Sequence, residues 1–155
     1  MHAGDLAAVS EISDAVHGRY TEPAAIYAER LDLHPAGCRV LVQDGAVTGY
    51  LISHPWHRDP PPALGAVIGA IPADADTYYL HDIALLDSAR GTGAGGAALA
   101  LVVEQARALG LGDVTLMAVG GADRFWSSRG FAYVASDAGS TYGPDCHLMR
   151  LALPG

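Results

Sequence analysis

Over the first third of the chain, apolar positions recur at the spacing of a helix and then switch to the spacing of a strand. In "GDLAAVSEISDAV", Leu6, Val9, Ile12, Ser13 and Val16 fall near one side of a helix. "HGRYTEP" interrupts that pattern, and Pro23 suits the first turn of a second helix, "PAAIYAERLDL". "CRVLVQ" and "AVTGYLIS" flank Asp44-Gly45, a strong turn signal, and predict a hairpin. "HPWHRDPPP" carries too many prolines for a helix or a central strand and is expected to be an exposed loop. "LGAVIGAI" fits a short helix or an irregular segment. "TYYLHDIALL" reads as a strand. "AGGAALALVVEQARALG" reads as a helix with Leu99, Val102, Val103, Ala106 and Leu109 on one face, stopped by Gly110 and Gly112. "DVTLMAV" is apolar enough for a strand buried on both faces. "ADRFWSSRG" follows as a short helix, then "FAYVA" and "CHLMRLAL" as strands. This order predicts one α/β domain over residues 1–155 with a mixed sheet, and no repeat or linker divides it.

Composition narrows the class. A chain of 155 residues can bury a core without disulfides, and 50% apolar with 17% charged residues is the balance of a soluble globular protein. No apolar stretch is long enough to cross a bilayer and no signal-peptide pattern opens the chain, so a cytoplasmic protein with no membrane partner is expected. Cys38 and Cys146 have no paired spacing and read as packed thiols. His54 and His57 lack a second ligand pair, so no metal is expected. A net charge of −8 argues against a nucleic-acid partner and is compatible with a cationic substrate such as an amine. All nine basic residues are arginine. Without lysine there is no Walker-type P-loop, no Schiff base and no covalent pyridoxal phosphate site. The abundance of alanine, glycine and arginine suggests a GC-rich bacterial genome.

The densest chemical signal is "LLDSARGTGAGGAALALVVEQARALG", where a strand ends, Arg90 is followed by Gly91, Gly93, Gly95 and Gly96, and a helix begins. Glycines let backbone N–H groups approach a ligand closely, and a helix N-terminus favours an anion, so the turn suits a phosphate. Gly91, Gly93 and Gly96 satisfy the dinucleotide pattern G-x-G-x-x-G. The acidic residue that should end the next strand is missing, with no carboxylate until Asp123, and the turn does not follow the first strand of its domain. An NAD-binding oxidoreductase is therefore the third of three readings.

Arg90, Gly93 and Gly95 also satisfy R-x-x-G-x-G. Together with "LHDIALLDSARGTGAGGAAL" and "ADRFWSSRGFAYV", which closes on Gly130-Phe131, that turn resembles the GNAT family of N-acetyltransferases. The resemblance runs by motif from about Ser53 to the C-terminus and by element order before it. It implies a GNAT-like fold whose fourth and fifth strands splay apart around a pantetheine arm. It also implies acetyl-CoA as co-substrate without a metal. Its cofactor site would comprise Ala84, Leu85 and Leu86 of the strand and Arg90, Gly91, Thr92, Gly93, Ala94, Gly95 and Gly96 of the turn, with Thr92 adding a hydroxyl. Leu85 is carried over as the backbone N–H that polarises the thioester carbonyl. Trp126 falls where the family commonly has a tyrosine that protonates the departing thiolate, and an indole cannot do that; Trp126 is expected to be a pocket wall. Gly120 falls where an asparagine often touches the cofactor. The general acid stays open among Tyr142, Tyr133 and solvent. The family's opening strand has no counterpart: either the start is misassigned or this member exposes a sheet edge, which would invite covering by a partner such as a second copy in a homodimer.

An amine attacks only with its lone pair free, so a base that titrates near neutrality is needed, and histidine is the natural one. Strict alternation puts Tyr79, His81, Ile83 and Leu85 on one face and Leu80, Asp82 and Ala84 on the other. His81 is accordingly the expected general base, with Tyr79 shaping the site and Asp82 as the substitute if the face is reversed. Tyr79 and His81 resemble the paired strand histidines of arylalkylamine-acetylating members. By the same resemblance, Tyr20, Glu22, His54 and Trp56 are the expected substrate contacts, and a carboxylate among aromatics suits a cationic or aromatic amine. The leading expectation is acetyl transfer to a primary amine, small molecule or peptide, in a ternary complex. The alternative is a non-catalytic acyl-CoA-binding module.

Overall fold

The computed structural model describes residues 1–135 and 142–155. Helix α1 (Leu6–His17) buries Val9, Ile12 and Ser13, close to the predicted stripe. Helix α2 (Ala24–Leu33) starts directly after Pro23, which precedes the first turn rather than occupying it. Strands β1 (Cys38–Gln43) and β2 (Ala46–Trp56) form the hairpin around Asp44-Gly45, whose φ values of 50° and 79° are those an Asp-Gly turn allows. Then come β3 (Thr77–Leu85), α3 (Ala94–Ala108), β4 (Asp113–Ala118), α4 (Asp123–Ser127), β5 (Ala132–Tyr133) and β6 (His147–Ala152). The six strands lie in the order β1-β2-β3-β4-β6-β5, antiparallel except for the β3–β4 pair. This is the mixed sheet flanked by helices that the element order predicts.

Two expectations change. The segment around His54 is not an exposed loop at its start: β2 continues through His54, Pro55 and Trp56, which pair with Tyr79, Tyr78 and Thr77. The β1–β2 ladder ends at Cys38 and Ile52, so beyond that point β2 has a free edge and a proline costs no ladder bond. Leu109 does not extend the buried face of α3; it is 50% exposed, because Gly110 (φ 71°) turns the chain and Leu111 packs against the core instead. Of the two forms open to residues 64–71, the irregular one is found.

The two faces of the sheet carry separate cores. On one, α3 and α4 cover Tyr78, Leu80, Val114, Leu116 and Met149 with Val102, Ala106, Trp126 and Phe131. On the other, α1 and α2 cover Cys38, Tyr50, Ile52 and Ala84 with Val9, Ile12 and Tyr27. A bulge divides β3 between them. Ile52 pairs with Asp82 and Ser53 with Leu80, so His81 is an extra residue in the strand. Before it, Tyr78 and Leu80 face α3; after it, Ile83 faces α3 and Ala84 faces α1. The strict alternation expected for residues 79–85 is therefore broken at His81, and His81 does not share a face with Leu85.

The β3–β4 ladder is short. It pairs only Tyr78, Tyr79 and Leu80 with Val114, Thr115 and Leu116, after which the strands diverge and leave a gap between the end of β3 and the end of β4.

Close approach of backbone fixes one glycine in this framework. A Cβ at Gly37 would lie 1.9 Å from the Ser53 carbonyl oxygen of β2. Gly37→Ala should cost at least about 2 kcal/mol in denaturant unfolding, whereas Gly4→Ala, with open space around its Cβ, should stay within about 0.5 kcal/mol.

Candidate active site

The gap between β3 and β4 opens into a cleft of about 950 Å³. One wall is the end of β3 from Leu80 to Leu85, and the other is Leu116, Met117 and Val119 with α4. At one end lies the glycine turn, at the other the segment that joins α1 to α2.

Backbone polarity in this cleft follows from the ladder. The Leu86 N–H donates to the Thr48 carbonyl (2.9 Å), so the N–H groups of Leu85 and Ile83 point away from β2, into the gap. The Leu85 carbonyl, on the same side, accepts from Arg90 Nε at 3.3 Å. At the turn, Gly91 and Gly93 take φ values of 72° and 88°, and Gly93 is the residue from which α3 starts. The first intrahelical bond is Ala97 N–H to the Gly93 carbonyl, and no side chain caps the helix. The amides of Ala94, Gly95 and Gly96 are thus left to face the cleft, beside the exposed guanidinium of Arg90. Such a set of free donors can hold a phosphate. Across from it, the Arg129 guanidinium lies 3.7 Å over the Phe125 ring, and both line the cleft.

At the other end two imidazoles each hold a carboxylate. His81 Nε2 donates to Glu22 Oε2 at 2.7 Å, and the other oxygen of Glu22 accepts the Gly65 N–H at 2.7 Å. The remaining nitrogen of His81, Nδ1, is buried without a partner. His17 Nε2 lies 2.6 Å from Asp82 Oδ1, and Asp82 Oδ2 accepts the Tyr50 hydroxyl at 2.7 Å. Burial lowers the pKa of His17, but the hydrogen bond and charge of Asp82, with Glu22 behind it, raise it to a net value above the ordinary one. The same environment pushes Tyr50 far up, through burial and the Asp82 charge. A pocket of about 40 Å³ joins His17, Tyr20, Glu22, Tyr79, His81, Asp82 and Tyr142. Burial holds Tyr142 up at about 12 and pushes Tyr79 well above its ordinary value, with the two hydroxyls hydrogen-bonded to each other. The Tyr142 hydroxyl in turn donates to the Pro62 carbonyl at 2.8 Å. Among the described residues no group of three or more His, Cys, Asp or Glu side chains is placed to hold a metal, and no helix is long and apolar enough to cross a membrane.

Residues 7–131 match the family model described as acetyltransferase (GNAT) family. The chain belongs to that family. Solved structures share the GNAT fold at low identity. GphF, a GNAT-like decarboxylase in complex with isobutyryl-CoA, superposes with a TM-score of 0.80 at 16% identity, over 99% of this chain and 97% of its own. Ard1 from Thermoplasma volcanium gives 0.75 at 16% identity over 100% and 95%. Rv2747 from Mycobacterium tuberculosis, in complex with CoA, gives 0.73 at 15% identity over 99% and 96%. No curated protein matches the chain in sequence.

Against this GNAT frame the expected site residues divide. Leu85, Ala84, Arg90, Gly91, Gly93, Ala94, Gly95, Gly96 and Trp126 all line the cleft. Leu86 does not: its N–H is spent on Thr48 and its side chain packs with the α1 core. Nor does Thr92, whose hydroxyl donates to the Ala89 carbonyl at 2.6 Å and so ties the turn together. Trp126 is 5% exposed and stacks edge-on with Phe125 and Phe131, which is the geometry of a wall. Tyr20 and Glu22 reach the small pocket, but Glu22 is committed to His81 and Gly65. His54 is 1% exposed, beneath Tyr79 and His81 with ring centroids 5.7 and 5.8 Å away, and Trp56 donates to the Pro60 carbonyl; neither lines the cleft. Tyr133 is also remote, 57% exposed and bonded to Asp123. The sequence reading missed His17, Arg19 and Arg129. Only the fold brings His17, 65 positions earlier, onto Asp82.

His54 gives a test of this buried cluster. Its Nδ1–H is held by the Pro55 carbonyl, Nε2 is buried without a partner, and burial beside His81 pushes its pKa down to about 3. The group stays neutral in the folded state and protonates in the unfolded one, so its stabilisation is complete above pH 6.5 and is lost as pH falls toward 3. Between pH 6.5 and 5, His54→Gln should flatten the pH dependence of unfolding free energy by up to about 1.4 kcal/mol per pH unit, measured by urea titration.

Proposed function

We propose that the chain is an acetyl-CoA-dependent N-acetyltransferase that acylates a primary amine directly, in a ternary complex. The observation that carries this reading is the alignment, along one cleft, of three elements. These are free N–H groups at the start of α3, the Leu85 N–H aimed into the gap, and an imidazole–carboxylate pair four residues back along β3. Neighbours of the same fold hold isobutyryl-CoA and CoA.

In this reading bound acetyl-CoA supplies an activated acyl carbon on sulfur. Arg90 and the amides of Ala94, Gly95 and Gly96 would hold its pyrophosphate, and Arg129 brings a second fixed positive charge to the same groove. The Leu85 N–H would stabilise negative charge building on the acyl oxygen, a preorganised donor of the oxyanion type. Arg90 ties the Leu85 carbonyl from the same side and so fixes that peptide plane. Glu22 holds the Nε2–H tautomer of His81 and leaves the Nδ1 lone pair to take a proton from the attacking nitrogen. Tyr20 and Tyr79 shape the acceptor end. Ala84 packs against the α1 core beside this wall and leaves room where a larger side chain would intrude. The acceptor would be a small-molecule or peptide amine.

Trp126 favours one other reading, a non-catalytic acyl-CoA-binding module, because its indole cannot protonate a thiolate. Isothermal titration with acetyl-CoA followed by thiol release over a panel of amines separates the two. The enzyme reading expects saturable binding and thiol release with at least one amine; binding with no release over the whole panel supports the module, and no binding refutes both. In an active preparation, His81→Gln should lower kcat by about 10²- to 10⁴-fold with acetyl-CoA affinity retained, and Glu22→Gln by a smaller factor in the same direction.

A further inference from the structure

Acetylation of an amine is a two-proton problem at nitrogen. An alkylamine in neutral water is R–NH3⁺, and the product is R–NH–C(O)CH3. As the C–N bond forms and the C–S bond breaks, nitrogen gives up two protons. Sulfur leaves with the bonding pair and takes one of them to become a thiol; the other goes to water. A single base handles one of these transfers and must be reset before it can handle the other.

The cleft holds two imidazole–carboxylate pairs rather than one, and they differ in access. His81 is 2% exposed and its partner Glu22 4%, so this pair is closed off from bulk solvent, although His81 lines both the cleft and the small pocket. His17, on the last turn of α1, is 17% exposed and borders both the main cleft and the small acceptor pocket. Its partner Asp82 stands next to His81 in β3, and the bulge turns the two neighbours toward the same side. The charged and titratable groups that face His17 are Asp82 from β3, Glu22 from the α1–α2 connection and Arg19 and Tyr20 just after it; Tyr50 from β2 acts through Asp82. His81, Tyr79 and Tyr142 share its pocket.

We propose that the two pairs divide the two protons: His17 takes the first from the arriving ammonium and releases it to solvent, and His81 takes the second and returns it to the departing sulfur. This rests on the acetyltransferase reading above. It also supplies the general acid that Trp126 cannot be, since the enclosed imidazolium of His81 has the thiolate as its acceptor. The raised pKa of His17 fits a group that must win a proton from an ammonium.

The test uses the acceptor with the best thiol release and a β-fluorinated analogue whose ammonium is far more acidic. At pH 7.4 an alkylamine with a pKa near 10.4 is free in only about one molecule in a thousand, whereas the analogue supplies much more free amine. His17→Gln should lower kcat/KM for the alkylamine by about 100-fold at pH 7.4, with recovery as pH approaches the amine's own pKa, and by less than about threefold for the analogue. His81→Gln should lower it for both amines at every pH. His17→Ala is the second variant, and because the position borders the cleft, added imidazole should restore its alkylamine rate. Equal losses of His17→Gln on both amines at all pH values, or none on either, overturn the division while leaving the acetyltransferase reading intact. Absence of thiol release by the wild-type chain on every amine overturns that reading, and this proposal with it.

Discussion

The candidate site hangs on one extra residue in one strand. Were β3 a regular strand, His81 and Asp82 would point to opposite faces, and only one of them could meet the stretch formed by the last turn of α1 and the segment after it. The bulge at His81 lets both meet it, each through a different carboxylate–imidazole contact. Bulges also sharpen local twist. The β3–β4 ladder stops at Leu80, the residue before the bulge, and from there the strands part. The same irregularity thus stands at the origin of the cleft and at the origin of its polar end, while the α3 side of the sheet keeps its apolar packing through Ile83.

Charge is distributed against the balance of the chain. The whole molecule carries −8, yet each of the two carboxylates at the polar end of the cleft is hydrogen-bonded to an imidazole, and Arg19, Arg90 and Arg129 border the cleft. With arginine as the only basic side chain, these charges do not titrate near neutrality. Arg129 is further held flat on Phe125, and Arg19 on Tyr20 with its NH2 bonded to the tyrosine hydroxyl. The cleft is a fixed positive groove in an acidic body, a field suited to drawing in a polyanion.

What the residue pattern revealed and what it concealed differ by the range of the interaction. Local signals held: Asp44-Gly45 made the hairpin, the glycines after Arg90 made the left-handed turn into α3, and Gly110 ended that helix. The residues at the glycine-turn end of the cleft follow from such short-range patterns, and most of those named from the sequence line it. The acceptor side does not follow from them, because it is assembled from distant segments. Nothing in "SDAVHGRY" announces that His17 meets Asp82, and nothing in "HPWH" shows that His54 is buried as part of β2, since that depends on where β1 stops. Alternation is a property of a regular ladder, and a bulge is invisible until the partner strand is known. Leu86 and Thr92 were placed correctly along the chain, but competing hydrogen bonds to Thr48 and Ala89 occupied them.

Glu22 has two oxygens, and both are spoken for: one by His81, the other by the Gly65 N–H in the long connection between β2 and β3. That connection is anchored again where Ile68 and Gly69 donate to Glu29 and where Arg30 donates to the Ala66 carbonyl. Leu64, from the same stretch, lines the acceptor pocket. A segment that lines the small pocket is therefore hydrogen-bonded to the carboxylate that orients the imidazole beside it. Grafting this stretch from another family member would not exchange selectivity alone. It would also disturb the carboxylate that holds His81 Nε2, so the lining of the small pocket and the orientation of that imidazole are coupled through one side chain.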